Sequence, residues 1–294
     1  MVDVSGVIID LLSGISTGMI YFLVASGFSV IFGVLGIMNF AHGTFYLLAA
    51  YILSSLLELF HDSMGGFWIG VLLATAAVSA LAILVEVLLL RRIYKSDHLY
   101  QVLLTFGLVL FMQGSILQIW GGGFRTIPLP PLLTGSVNIG ERSFPIYYIF
   151  VLAVSFIIGA ALWGFLHRTR WGRLTRAAAM DREISAALGM NVSKIYTLVF
   201  CMGIMLVGLG AGLGGSLRTL TVEADVDVLL VCFIVVIIGG VGSLPGALVA
   251  SLMLGILESF TAHYFQELGM VSHYLLLLAV LIWKPQGLFG GSRQ

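Results

Sequence analysis

MNFAHGTF, residues Met38–Phe45, interrupts what would otherwise be one long apolar run from Gly6 to Leu59. It sets an amide (Asn39), an imidazole (His42) and a hydroxyl (Thr44) among apolar neighbours. Whether it is a loop, a bend or a re-entrant segment decides how many times the chain crosses a bilayer. In hydrocarbon every backbone N–H and C=O needs a partner, so such an interruption survives only where it is buried in protein or faces water. Broken helices near the midplane serve transporters by offering freed amides and helix ends to a substrate. The alternative is a helix start at a membrane interface, with Asn39 capping a helix that begins near Ala41 and His42 facing headgroups or bonding a neighbouring helix. These residues alone leave the two readings level.

The rest of the chain calls for a bilayer. Of 294 residues, 60% are hydrophobic and 10% charged, against roughly 25% charged in ordinary globular domains. Several apolar stretches reach the ~20 residues that cross ~30 Å of hydrocarbon as a helix, too many for one to be a signal peptide. They are continuously apolar rather than alternating, which excludes a β-barrel pattern. The fold class is all-α: a polytopic transmembrane bundle of eight or nine spans with broken helices. The spans read as 7–36, 44–60, 67–90, 99–120, 145–166, 195–215, 227–241, 247–264 and 268–283. A single membrane domain over 1–294 is expected, because the longest polar connections, about 25–28 residues, are too short for a separate soluble domain. Cys201 and Cys232 sit in apolar runs, so neither a disulfide framework nor a metal site is expected.

Placed along the chain, the charges give an orientation. RRIYKSDH holds Arg91, Arg92 and Lys95; the loop of about 167–194 holds Arg168, Arg170, Arg173, Arg176, Arg182 and Lys194; Lys284 and Arg293 follow the last span. Alternating the spans puts these segments on one side, which the positive-inside rule makes cytoplasmic. The opposite connections hold only Arg125, Arg142 and Arg218, beside Glu223, Asp225 and Asp227. Nine spans then give an external N-terminus, whereas a bend or re-entrant segment at MNFAHG changes the count.

Other features could carry chemistry. In VVIIGGVGSLPGALVASLML, Gly239, Gly240, Gly242 and Ser243 separate two apolar runs. This second break reads either as a transport-site counterpart of the first or as a tight turn with Pro245 at a helix start. AAAMDREISAALG, with Asp181, Arg182 and Glu183, reads as a short cytoplasmic helix ended by Gly189, Asn191 and Ser193 opening the next. It has no strong apolar face; it suits a docking knob for a soluble partner or a charged helix on the lipid surface. Glu86, close to Arg91 and Arg92, is expected to snorkel toward the cytoplasmic side, and Glu58 and Glu258 lie near span ends; no acidic residue is expected in mid-span, where a proton- or sodium-coupled transporter would more often carry one. The GxxxG spacings Gly14–Gly18, Gly208–Gly212 and Gly210–Gly214 call for close helix packing, within the chain or against a second copy. None of the lysines ends a GxxxxGK[ST] loop, and HExxH, GxSxG and zinc spacings are absent, so the chain carries no nucleotide cradle and no catalytic set.

Taken in order, MNFAHG after a long first span, the loop AAAMDREISAALGMNVSKIYTLVF, the AGLGG of the following helix and the late GGVGSLPGALV resemble the membrane permease of branched-chain amino acid ABC importers, the LivH type. The match covers nearly the whole chain. The resemblance implies a permease of the bacterial inner membrane, paired with a second permease, two cytoplasmic ABC ATPases that bind ATP and Mg, and an extracytoplasmic substrate-binding protein. It implies that the cytoplasmic loop is a coupling helix, with Ala186, Ala187 and Gly189 at the Ala/Gly positions of that motif. The wider signature has Glu directly before the two alanines, whereas Glu183-Ile184-Ser185 precede Ala186 here, which leaves open whether Asp181 or Glu183 faces the ATPase.

The expected function is therefore the substrate pathway of an ATP-driven importer for branched-chain or other small neutral amino acids. Asn39, His42, Gly43, Thr44, Gly239, Gly240, Gly242 and Ser243 are the expected pathway residues. Asp181, Arg182, Glu183, Ala186, Ala187 and Gly189 are the expected ATPase-coupling residues. No cofactor in this chain, no metal and no nucleic-acid partner are expected. The rival reading is a secondary transporter or channel for a small polar solute, and urea or short amides are rival substrates.

Overall fold

A 32-residue helix, α1 (Val4–Leu35), runs through the middle of the bundle. It is apolar on every side, as a helix enclosed by others must be. The computed structural model describes residues 4–60, 63–94, 96–140 and 142–290; the basic residues Lys95 and Arg293 lie outside these. After α1 come α2 (His42–Phe60) and α3 (Met64–Val85), the latter continuing through a π-helical turn (Glu86–Leu90) into α4 (Arg91–Ile93). Then follow α5 (His98–Trp120), a small antiparallel hairpin of β1 (Ser136–Ile139) and β2 (Arg142–Pro145), and α6 (Ile146–Arg168). The second half comprises α7 (Arg170–Met180), α8 (Arg182–Ala187), α9 (Val192–Gly214), α10 (Ala224–Gly239), α11 (Leu244–Tyr264) and α12 (Gly269–Trp283).

Glycine lets α1 and α9 pack this tightly. A Cβ on Gly14 would lie 2.6 Å from the Ile256 Cα, and one on Gly18 would lie 2.8 Å from the Ser251 carbonyl, so α1 meets α11 backbone to backbone. The interleaved pairs on α9 serve two neighbours. Gly208 and Gly212 press on Thr75 and Val71 of α3, while Gly210 and Gly214 press on Val24 and Ile20 of α1. Without a hydrophobic drive between helices in lipid, such close approach is a main source of stability. The GxxxG spacings thus work within the chain. By contrast α5 and α6 turn large apolar residues outward, among them Phe106, Phe111, Phe156 and Ile157.

Among the described residues seven helices are long and apolar enough to cross a membrane. The remaining expected spans correspond to α10, of 16 residues, and α12, of 15. α10 is short because it starts part-way along the bundle, at Ala224, and that start takes Asp225 and Asp227 out of the expected connection and into the helix. Asp225 is 2% exposed, which corrects the expectation of no acidic residue deep in the bundle.

Two further expectations change. Glu86 does not snorkel: its side chain is fully buried, and Arg91, five residues on, reaches it at 3.1 Å across the π-helical turn. Tyr94 Oη (2.7 Å) and Thr197 Oγ1 (2.6 Å) donate to the same carboxylate. The loop expected to be cytoplasmic is two helices rather than one, because Asp181 leaves the helical region (φ −151°, ψ 113°) and its Oδ1 accepts from the Glu183 and Ile184 amides at 2.8 and 2.9 Å, starting α8. Asn191 opens α9 as expected, accepting from Lys194 N at 3.1 Å.

Candidate functional site

The MNFAHG break is the non-helical first part of a second crossing, completed by α2. α1 ends on Gly36, whose left-handed φ of +69° reverses the chain, and α2 then begins beside Val24, about three turns back along α1, roughly 16 Å at 1.5 Å per residue. Residues 36–41 therefore climb back beside α10, the Phe40 ring lying tilted against Phe233 at 5.5 Å between centroids. Asn39 caps α2: its Oδ1 accepts from Ala41 N at 3.2 Å and its carbonyl accepts from His42 N at 3.1 Å. His42 Nε2 pairs with the Val24 carbonyl at 3.0 Å, and its ring meets Phe28 edge-on at 5.2 Å. Asn39 and His42 are fully buried, and Asn39 Nδ2 and His42 Nδ1 have no hydrogen-bond partner in this conformation.

The N-termini of α2 and α10 meet at this level. A Cβ on Gly43 would run into the Asp225 carbonyl, so only glycine admits the contact. Thr44 Oγ1 donates to Asp225 Oδ2 at 2.7 Å, and Gln113 Nε2 of α5 reaches both carboxylate oxygens at 2.9 Å. The Asp225 carboxylate here faces the N-terminal ends of two helices, where the helix dipoles are positive.

Beside this junction, toward the end away from the basic segments, is a cavity of about 300 Å³, at the lower edge of the roughly 300–1,000 Å³ of small-molecule sites. Ile20, Val24 and Val231 supply apolar wall; Arg218, Asp227 and Glu258 supply charge. Arg218 Nη2 donates to Glu258 Oε1 at 2.7 Å and to Tyr21 Oη, while Tyr21 Oη donates to Glu258 Oε2. His273 Nε2 lies 3.5 Å from Glu258 Oε2. The facing oxygens of Tyr21 and Glu258 hold the Arg218 pKa above its ordinary value, against the opposite pull of burial. Asp227 lines the cavity exposed and outside this network.

At the basic end the second break forms a turn. Ser243 Oγ accepts from Gly246 N at 3.1 Å with Pro245 in the first turn of α11, and Gly240 and Gly242 take φ of +94° and +74°. Gly239 packs on Gly246, and Gly242 packs on Gly33 of α1, so the two breaks begin side by side. Beyond them projects α8. Asp181 caps its start, Gly189 (φ +81°) ends it, and Arg182 sits 5.5 Å over the Tyr196 ring of α9. Ile184 (60%) on it and Leu188 (77%) at its C-cap stand exposed, as does Met180 (89%), the last residue of α7. That apolar edge, one residue every four, is the face that sequence reading missed.

The family described as "Branched-chain amino acid transport system / permease component" matches residues 11–282. The chain belongs to this family. It is 30% identical to the high-affinity branched-chain amino acid transport system permease protein BraD of Pseudomonas aeruginosa, over 96% of this chain and 95% of that one. It is 28% identical to LivH of Escherichia coli K12, over 96% and 94%, and 25% identical to the permease protein LivM of Salmonella typhimurium, over 94% of this chain and 69% of that one. No solved structure matches.

In this family member the expected pathway residues fall into two groups. Asn39, His42, Gly43 and Thr44 come together at the junction of α2 and α10, one layer behind the cavity wall formed by Val24 and Tyr46. Gly239, Gly240, Gly242 and Ser243 form the turn at the basic end and do not line that cavity. The expected coupling residues Asp181, Arg182, Glu183, Ala186, Ala187 and Gly189 all lie on or around α8. Tyr21, Gln113, Arg218, Asp225 and Asp227 were not singled out by sequence for the site; a polar residue inside an apolar helix was the available signal for Tyr21 and Gln113.

Proposed function

We propose that this permease forms the membrane pathway of an ATP-driven importer for branched-chain or other small neutral amino acids, and that α8 docks cytoplasmic ATPase subunits. The observation that carries the reading is α8 itself: a capped helix at the basic end with Ile184 and Leu188 exposed, next to the exposed Met180 that ends α7, in a chain whose sequence has no phosphate-binding loop. Apolar side chains so placed either enter a protein groove or lie in lipid, and the flanking caps hold them away from α9. Glu183 is exposed, whereas Asp181 is spent on capping, so we assign Glu183 as the acidic contact to the ATPase.

ATP and Mg belong on the partner ATPases. A second permease, of the LivM kind or a further copy, and an extracytoplasmic binding protein would complete the importer in the bacterial inner membrane. ATP drives the cycle only by binding the outward and inward states of the complex unequally. The 300 Å³ cavity suits a zwitterion with a short aliphatic side chain. Arg218 is placed for a carboxylate, Asp227 for an ammonium, and Ile20, Val24 and Val231 for the side chain. Asn39 and His42 support the wall from behind, and their unpaired Nδ2 and Nδ1 are donor and acceptor capacity that a second conformation of the break can use.

Ile184→Asp and Leu188→Asp test the docking reading and leave the capping Asp181 side chain and Gly189 in place. Membrane insertion should be unchanged, co-purification of the ATPases should be lost, and leucine uptake should fall with it. Uptake that persists in the variant, or gradient-driven uptake by the purified chain alone in liposomes, would favour a secondary transporter or channel.

A further inference from the structure

On an outer side of the bundle, α3, α6 and α9 enclose a groove of about 970 Å³. Its walls are Ile83, Ile158, Phe165, Met202 and Leu209, together with the half-buried thiol of Cys201. The charged residues among its lining, Arg91 and Lys194, stand together at the basic end. Along α9 the groove runs from Lys194 to Leu209, about 22 Å at 1.5 Å per residue, which exceeds the ~15 Å half-thickness of a ~30 Å hydrocarbon core.

The two cations are held differently. Arg91 Nη2 is tied to Glu86 Oε2 at 3.1 Å and to Thr197 Oγ1 at 2.7 Å, yet its side chain stays 38% exposed. The buried Glu86 therefore fixes the guanidinium in place and offsets part of its charge. Lys194 is exposed and makes no ion pair among the described residues, so it leaves one unbalanced positive charge at the mouth of a hydrocarbon-lined slot. An amphiphile with one negative headgroup and a long acyl chain matches both ends. Basic pockets between helices at the cytoplasmic interface are the kind of site that holds such headgroups.

We propose that this groove binds an anionic phospholipid of the leaflet on the basic side, its phosphate between Arg91 and Lys194 and an acyl chain laid along α6 and α9. A second polypeptide would have to bring an acidic group to the same point while filling the apolar length beyond it. The phospholipid brings both in one molecule.

The test is native mass spectrometry of the delipidated full-length chain titrated with phosphatidylglycerol or with phosphatidylcholine of the same acyl length. Phosphatidylglycerol should bind more tightly. Lys194→Gln should shrink that preference about fivefold, the equivalent of about 1 kcal/mol for one basic side chain near a headgroup. Lys284→Gln, at the same end but outside the groove, should leave it intact. Ala161→Phe, which places a ring on the groove wall, should weaken both lipids. Equal binding of the two lipids, or an unchanged preference in Lys194→Gln, overturns the proposal. So does a dimer that holds no lipid and that Ala161→Phe dissociates, since a second polypeptide would then be the occupant.

Discussion

Asp225 is the point where three helices are tied together, and a double-mutant cycle measures the tie. Its carboxylate takes hydrogen bonds from Thr44 of α2 at 2.7 Å and from Gln113 of α5 at 2.9 Å to each oxygen. Asp225→Ala leaves the Thr44 hydroxyl, 1% exposed, without a partner, at about 1–3 kcal/mol; the half-buried Gln113 amide adds less because it has other outlets. Loss of the favourable position at two helix N-termini adds about 0.3–1 kcal/mol at each. A total of about 2–4 kcal/mol is expected. Thr44→Val alone removes a hydrogen bond to a charged group and should cost about 1.5–3 kcal/mol. In the Asp225→Ala background the same Thr44→Val should cost nearly nothing or stabilise, since it removes an unpaired hydroxyl. The coupling should therefore exceed about 1 kcal/mol, well above the ~0.3–0.5 kcal/mol scatter of independent sites. SDS titration of the purified chain, followed by circular dichroism, gives the four stabilities. Additive costs would refute the described junction.

Gly43→Ala and Gly36→Ala separate close approach from backbone conformation. The first drives a methyl into the Asp225 carbonyl and should cost about 3 kcal/mol or prevent assembly; the second, at φ +69° in open space, should cost only about 1–2 kcal/mol, both read by the same titration. Arg91→Ala should destabilise more than Glu86→Gln, because it strands a buried carboxylate, whereas Gln can still bond Tyr94 and Thr197; breaking a buried pair costs up to about 3–5 kcal/mol, reduced here because Arg91 is 38% exposed. His42→Ala removes a packed ring beside Phe28 and should lower stability by about 2–4 kcal/mol together with leucine uptake, whereas loss of uptake at unchanged stability would make His42 a pathway residue in direct contact with substrate.

The spans were legible because each is a long run of apolar residues, and the glycine contacts were legible because GxxxG spacing repeats on one helix face. What sequence could not give is which distant residues share a level. Thr44, Gln113 and Asp225 are separated by scores of residues, and their pairing follows from where α2, α5 and α10 cross. Arg218 and Glu258 each look like span-end charges until α9 and α11 flank Tyr21. Met180, Ile184 and Leu188 recur at every fourth residue, but whether that spacing faces inward or outward depends on how α7 and α8 pack on the bundle, which the sequence does not show.

The break at MNFAHG posed a choice between an interfacial cap and a mid-membrane break, and the structure joins the two. Asn39 does cap a helix, satisfying the Ala41 and His42 amides through its side chain and carbonyl. It does so about a third of the length of α1 back from its end, because the six residues 36–41 are extended enough to reach back: at roughly 3.3 Å each they span about 20 Å, against roughly 16 Å from the end of α1 to Val24. A helix that begins at such a depth has no water for its first amides, so the residue before it must be a side-chain acceptor. The same depth brings His42 against the Val24 carbonyl and Gly43 against Asp225. The amide, the imidazole and the glycine are therefore consequences of one geometric choice, the level at which α2 starts.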